Sequence, residues 1–314
     1  ASSVEAFKFQ DQIWGLPIMS EVALMAYRKD ILDKYGVQPP ETWDDIAELG
    51  ELMRAANDPV STFAMRANRG QGANMFVFPM FIWSYGGGFY RNPYEDMTPI
   101  LNSSENVQAL ERFSTLLQNY GPDGYGNIAY PDIITNFSLG NLAITVDGTS
   151  VIAQLIDTSK SDFAEDVYVA QVPAGPNGRF PANASHGLLI PASSYNKEAA
   201  WKFLKWATST EIQKKLALSE VVAYADITRE SAASDPEVLA RYNNKDFANQ
   251  RLEALKAIDY EYRPLTKEWI EIADNMSAYV NAAINNEMDA QSAMEKAQEE
   301  TENTLKQAGY DISE

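Results

Sequence analysis

The sequence predicts an α/β protein built from two packed bodies, and three observations lead there. Short apolar runs of strand length alternate along the chain with longer stretches whose apolar residues recur at helical spacing, the pattern of strands covered by helices. The chain has 314 residues, more than one hydrophobic core usually serves, so two domains are expected. Between Ile13 and Asp30, IWGLPIMSEVALMAYRKD, two apolar runs meet at the polar joint Ser20-Glu21. Such a path suits one strand crossing from one body into the other. The first run reads as a buried strand, Ile13, Trp14, Leu16, Ile18 and Met19, interrupted only by Gly15 and Pro17. The second, Val22 to Tyr27, stops abruptly at Arg28-Lys29-Asp30.

After the crossing, DILDKYGVQPPETWDDI (30–46) reads as a short helix closed by Gly36, a Pro-Pro elbow and a new helix capped by Thr42. That helix runs to Ala56 with Ile46, Leu49, Leu52, Met53 and Ala56 on one stripe, and Asp45 completes the cap. Phe63, Met65 and Arg66 suggest a short strand leading into the loop RANRGQGAN (66–74). Met75 to Ser84 is apolar on nearly all sides, hence a buried helix. Gly86-Gly87-Gly88 and Phe89-Tyr90 turn it into a further strand. Asn102-Ser103-Ser104 caps a helix with Val107, Leu110, Phe113 and Leu117 inward, and NYGPDGYGN (119–127) is a glycine-rich loop. Asp132 to Leu139 looks helical, LAITVDG (142–148) is a strand, and Thr149 to Ile156 a helix at its end. DVYVAQVPAGPNG (166–178) is a strand and a loop, and GLLIP (187–191) a buried strand. The helix from Asn196 turns Ala200, Phe203, Leu204 and Ala207 inward, with Trp201 and Trp206 also assigned to packing. Lys267 to Asn285 and Asp289 to Lys306 form two amphipathic helices, the second closed by Gly309.

Composition narrows the chemistry. Forty-four acidic against 25 basic residues give a net charge of −19, which repels phosphate backbones and anionic lipid and makes nucleic acid a poor partner. No cysteine and a single histidine remove thiol nucleophiles, thiolate metal sites and disulfides, and leave one donor for any Ser-His-Asp triad. No apolar run approaches the ~20 residues of a membrane span. No secretory signal is visible at Ala1, as in a mature form. Neither a G-x-x-x-x-G-K-[ST] loop nor an H-E-x-x-H helix occurs.

In their order and wording these stretches resemble family 1 extracellular solute-binding proteins, the maltose-binding-protein type that serves ABC importers. The crossover from Ile13 to Ile46 is similar to the family's sequence of a G-x-x-Y/L-P strand, a polar joint with Glu, a short apolar strand, Y-x-K-D, a helix and P-x-T-W-x-E/D. LGNLAITVDGTSVIAQL (139–155) resembles its strand-turn-helix. GLLIPASSYNKEAAWKFLKWATSTEIQKKL (187–216) resembles its return strand and helix, the most specific match. DITRES (226–231) resembles its P-T-R-x-S turn, with Asp226-Ile227 where proline is usual, and RPLTKEW (263–269) its final lobe crossing. The neighbourhoods of Arg66, Trp83 and Asp147 look most like those of polyol and sugar-alcohol binders.

The resemblance implies a two-lobe periplasmic-binding-protein type II fold with crossing hinge strands near 18–22, 183–188 and 262–268. Lobe 1 would hold residues 1–19 and 188–262, and lobe 2 residues 20–187 and 263–314 with the C-terminal helices. The family's opening portion, on the order of 100 residues, has no counterpart before Ala1, so the first lobe is expected to be incomplete.

Sugar or polyol recognition needs aromatic faces for C–H surfaces and charged or amide partners for hydroxyls, and clefts between domains concentrate such groups. Glu21, at the crossing, is a ligand contact or hinge salt bridge, or an exposed hinge carboxylate. Arg66 and Asn74 face a ligand or belong to a surface loop. Trp83, beside Tyr85, is a stacking platform or a core residue. Asp147 ends a strand where α/β folds bind ligands, or caps the next helix. His186, with Asn183 nearby, borders the second crossing. Tyr224, Arg229 and Trp269 stack on or bond a ligand, or pack their lobe.

These readings converge on an extracytoplasmic, periplasmic solute-binding protein, monomeric, that captures a neutral sugar or polyol and presents it to an ABC permease in the membrane, without metal, cofactor or bond chemistry. The rival is a carbohydrate-active hydrolase using Glu21 and Asp147. A ferric-ion binder would want a tyrosine pair, and Tyr224 has no adjacent partner.

Overall fold

A computed structural model describes residues 2–219, 227–242 and 246–312. The chain opens with α1 (Ser2–Glu5) and the small antiparallel pair β1 (Lys8–Phe9) and β2 (Gln12–Ile13). Then comes β3 (Leu16–Arg28), a single 13-residue strand. It is followed by α2 (Lys29–Tyr35), α3 (Trp43–Ala55), β4 (Ser61–Ala64) and α4 (Asn74–Ser84). The hairpin β5 (Tyr90–Asn92) and β6 (Asp96–Pro99) leads to α5 (Ser104–Tyr120), α6 (Tyr130–Ser138), β7 (Leu142–Gly148) and α7 (Thr149–Leu155). β8 (Val167–Ala170) and β9 (Asn183–Leu188) complete the strands. The helices α8 (Lys197–Ala207), α9 (Thr210–Ala217), α10 (Glu230–Ala233), α11 (Pro236–Tyr242) and α12 (Phe247–Lys256) precede the long pair α13 (Trp269–Ile284) and α14 (Ala290–Gln307).

β3 changes partners along its length. From Leu16 to Val22 it pairs antiparallel with β9, Val22 opposite Asn183. From Ala23 onward it lies antiparallel to β7 on one side and β8 on the other, and β4 adds in parallel beyond β7. The apolar run Val22 to Tyr27 is continuous because both faces of this sheet are covered. Ala23, Met25 and Tyr27 belong to a core with α3, α4, α5, α13 and α14, while Val22, Leu24 and Ala26 belong to a second core with α6, α7, β8 and α12. Successive side chains on a strand point to opposite faces. One strand therefore feeds both cores.

Local signals set the helices around it. Thr42 accepts from Asp45 N–H at 3.2 Å and Asp45 returns a bond to Thr42 N–H at 2.8 Å, the reciprocal cap expected for α3. Within α4, Phe81 stacks on Trp43 with ring centroids 4.1 Å apart, and Phe78 stacks on Phe113 of α5.

Several expectations are corrected. Ile13 and Trp14 lie outside β3 and are 56% and 60% exposed, because no layer covers the chain before Leu16. The return strand runs Asn183–Leu188, earlier than GLLIP, and Leu189 is exposed. In α8 only Leu204 is buried; Phe203, Trp201 and Trp206 are exposed. The small third cluster, Ala217, Ile227, Ala232 and Val238 of α9 to α11, offers that helix face no covering layer. The third crossing, 262–268, is irregular backbone rather than a strand. Pro264 has no N–H to give a ladder there, and Tyr262 is held instead by its hydroxyl, which donates to Phe76 O at 3.0 Å.

Two stability measurements check this framework. Thr42→Ala should lower the stability read from urea denaturation by about 1 kcal/mol, the usual cost of a lost cap. Asp58 is the second probe. Burial pushes its carboxyl up, but Lys34, Tyr35 and Val60 N–H all donate to it and hold it below its ordinary value of 3.8. A depressed carboxylate contributes stability above its unfolded value and loses it as pH falls through the folded one. The stability gap between the protein and Asp58→Asn should therefore be widest near neutral pH and shrink below about pH 4.

Candidate functional site

The site forms where β3 leaves β9 and enters the main sheet. Glu21 stands at this joint, half-buried and opposite Ala184 of β9. Its carboxylate lies against the end of β7: a Cβ on Gly148 would sit 3.0 Å from Glu21 Oε2. Among the described residues the Glu21 carboxylate takes part in no hydrogen bond or ion pair. It is a half-buried acceptor whose charge acts on the nearby Arg66 guanidinium.

Beside it, Arg66 and Asp147 form the strongest polar contact of the region. Asp147 is 0% exposed, and the Arg66 side chain is 11% exposed. Arg66 Nη2 donates to Asp147 Oδ1 at 2.5 Å and Nε to Oδ2 at 2.9 Å, a bidentate fork. Arg66 Nη1 donates to Gly72 O at 2.6 Å, and the guanidinium sits between the Phe76 and Tyr130 rings, 4.7 and 5.2 Å from their centroids. Burial pulls the Arg66 pKa down, but the Asp147 charge and hydrogen bonds outweigh it, and the net shift is upward. Asp147 is not a helix cap. Gly148 is the N-cap residue of α7, and the Asp147 carboxylate accepts the Gly148 N–H at 2.6 Å.

The loop after Arg66 is pinned to α13. Gly70 N–H donates to Ser277 Oγ at 2.6 Å, Gln71 Nε2 to Ile270 O at 3.0 Å, and Arg69 pairs with Asp274 at 2.9 Å. A cavity of ≈ 250 Å³ opens beside this loop, with Gln71, Ala184, Ser185, Arg263 and Trp269 in its lining.

The structure brings Glu21, Arg66 and Asp147 together and sets Trp269 in the cavity wall. It separates the others. Asn74 is fully buried and both ends of its amide bond Ser277, so it fastens the loop instead of facing the cleft. Trp83 gives its indole N–H to Tyr262 O at 3.0 Å and lines a different, aromatic recess beside Phe89 and Tyr90. His186 is exposed on β9 opposite Met19. Arg229, at the start of α10, donates to Thr208 O between α8 and α9, and does not line the cavity. Tyr224 lies outside the described residues. Sequence reasoning missed Gln71, Ser185 and Arg263 as cavity residues; Arg263 was within reach, as a lone cation ahead of Pro264 in the crossing segment RPLTKEW.

A helix-covered mixed sheet, a smaller helical body and a strand pair leading from one to the other are the parts of a two-lobe α/β binding protein. The family model described as bacterial extracellular solute-binding protein matches residues 1–214, and the chain belongs to that family. It is 27% identical to the mannitol-binding protein of Pseudomonas aeruginosa, over 95% of this chain and 70% of that protein. It is 24% identical to the erythritol/L-threitol-binding protein of Mycolicibacterium smegmatis, over 69% of this chain and 46% of that one. Against putative binding proteins of Brucella it spans 60% of their length. Among solved structures it superposes on an ABC transporter solute-binding protein of Agrobacterium vitis with bound D-mannitol, at TM-score 0.82 and 25% identity, covering 96% of this chain and 75% of that chain. A relative from Agrobacterium radiobacter in complex with ribitol gives TM-score 0.84 at 23% identity, covering 96% and 74%. The α/β two-lobe periplasmic-binding-protein fold expected from the sequence is the fold of these structures.

The buried pair carries its own test. Asp147→Ala leaves Arg66 desolvated without its partner and should cost roughly 3–5 kcal/mol in urea denaturation. Replacing both, as Arg66→Met with Asp147→Leu, should recover most of that loss.

Proposed function

We propose that the protein captures a small sugar or polyol between its lobes outside the cytoplasm and delivers it to an ABC permease. The observation that carries this reading is the unpartnered Glu21 carboxylate, set against the Arg66–Asp147 pair at the strand joint. Hydroxyl groups of a ligand would supply the donors that Glu21 lacks, and Arg66, held rigid by Asp147, Phe76 and Tyr130, keeps that wall preorganised. The names of the mannitol- and erythritol-binding relatives support the same ligand class. The lobes would divide as 1–19 with 188–262 and 20–187 with 263–314, bending at the joint of β3 and β9. Ligand touching both lobes would favour the closed form, because only there are all its contacts made.

The hydrolase alternative is less well supported. Glu21 and Asp147 would be its two carboxylates, yet Asp147 is fully buried and engaged by Arg66. A glycosidic oxygen has no route to it. Binding without turnover, by a monomer and without nucleic acid, is the reading we adopt.

Thermal-shift and calorimetric titration with D-mannitol, ribitol, erythritol and maltose tests it, since a ligand bound only to the native state raises Tm. At least one should bind, and Glu21→Ala should weaken it by roughly 1.5–3 kcal/mol, about ten- to a hundredfold in Kd. Release of a hydrolysis product from a glycoside, or no Tm rise with any sugar or polyol at millimolar concentration, would refute the reading.

A further inference from the structure

The cavity beside the joint contains a cation, Arg263, that no sequence pattern singled out. Arg263 lines it together with Ser185, Gln71 and Trp269. The two cleft arginines are partnered very differently. Arg66 has Asp147 in a bidentate fork and a backbone carbonyl besides. Arg263 has no hydrogen bond, no ion pair and no carboxylate among the described residues, and the titratable group acting on it is the neighbouring phenol Tyr262. Burial accordingly holds the Arg263 guanidinium below the usual arginine value, with Tyr262 only partly opposing. This happens in a protein of net charge −19, in which Arg28, Arg54, Arg69, Arg91, Arg112 and Arg179 each have a carboxylate partner.

A half-buried, unpaired guanidinium is costly, and becomes more so if a closing lobe removes its remaining water. A neutral hydroxyl offsets part of that cost; an anion offsets far more, through two charge-assisted hydrogen bonds in Arg's fixed fork geometry. The carboxylate at the neighbouring joint is Glu21, which pairs across the strands with Ala184, and Ala184 lines the cavity. Glu21 repels an anion and accepts from hydroxyls.

From this polarity we propose that Arg263 is a specificity-determining ligand contact, and that the cleft prefers a hydroxylated chain ending in a carboxylate, a sugar acid, over the neutral polyol of the same length. The acid end lies at Arg263 and Ser185, and the hydroxyl end at Glu21. The proposal rests on the cleft being the ligand site and deepens that reading by naming the ligand's charge.

The test compares D-gluconate, D-glucitol and D-glucitol 6-phosphate by calorimetry on the protein, Arg263→Gln and Arg263→Lys, at low and at raised salt. Gluconate should bind at least about tenfold tighter than glucitol, and the gap should narrow with salt. Arg263→Gln should close the gap by weakening gluconate by a clearly larger factor than glucitol, and Arg263→Lys should restore part of it. A phosphate ester preferred over gluconate would replace the carboxylate with phosphate and overturn the sugar-acid assignment. Glucitol binding as tightly as gluconate, or Arg263→Gln weakening both equally, would refute the proposal while leaving polyol capture intact. Binding of none of the three, together with the failure of the neutral panel above, would refute the cleft reading itself. Thermal melts of both variants confirm that they are folded.

Discussion

A strand that is hydrogen-bonded to different partners along its length cannot be apolar throughout. β3 runs 13 residues without a break, with β9 beside its first half and β7 and β8 beside its second. Within the main sheet its odd residues enter one core and its even residues the other. At the changeover stand two polar residues, Ser20 buried and Glu21 half-buried. Ser20 uses its hydroxyl on Ser185 across the strands at 3.1 Å. The polar joint coincides with the change of strand partner, and of its two residues Glu21 is the one left without a hydrogen bond among the described residues.

The rigidity of the cleft wall has a separate source. Arg66 follows β4 and Asp147 ends β7, neighbours in the same sheet, so backbone pairing sets their spacing before the side chains meet. Their ion pair, the rings of Phe76 and Tyr130 and the loop's bonds to Ser277 and Ile270 then leave little freedom. Burial of this kind does not by itself stabilise a protein. It does fix the orientation of a guanidinium next to a carboxylate that must remain open, which is the use a binding site has for it.

Much of the framework was readable in advance because its causes are local. Thr42 with Asp45, the all-round apolar Met75 to Ser84, the strand LAITVDG and the two C-terminal helices each appear close to where pattern and capping put them. Misreadings occurred where a correct periodicity lacked something to pack against. Phe203 and Trp206 recur at helical spacing and form a helix, but no layer lies over them and they remain exposed. Asn74 illustrates the opposite error: a polar residue at a loop end suggested a ligand contact, and its amide is consumed by Ser277, 203 positions away.

The sequence by itself determined the α/β class, the order of its elements, the crossing path through Ser20 and Glu21 and the family resemblance, because periodicity, caps and turn residues act over a few positions. Only the tertiary structure decided which charges are satisfied. Arg66 and Asp147 are 81 residues apart and meet through sheet pairing, while Arg263, in the cavity wall, has no hydrogen bond or ion pair among the described residues. Whether a side chain is paired or open depends on which distant segments fold against it, and no local pattern encodes that.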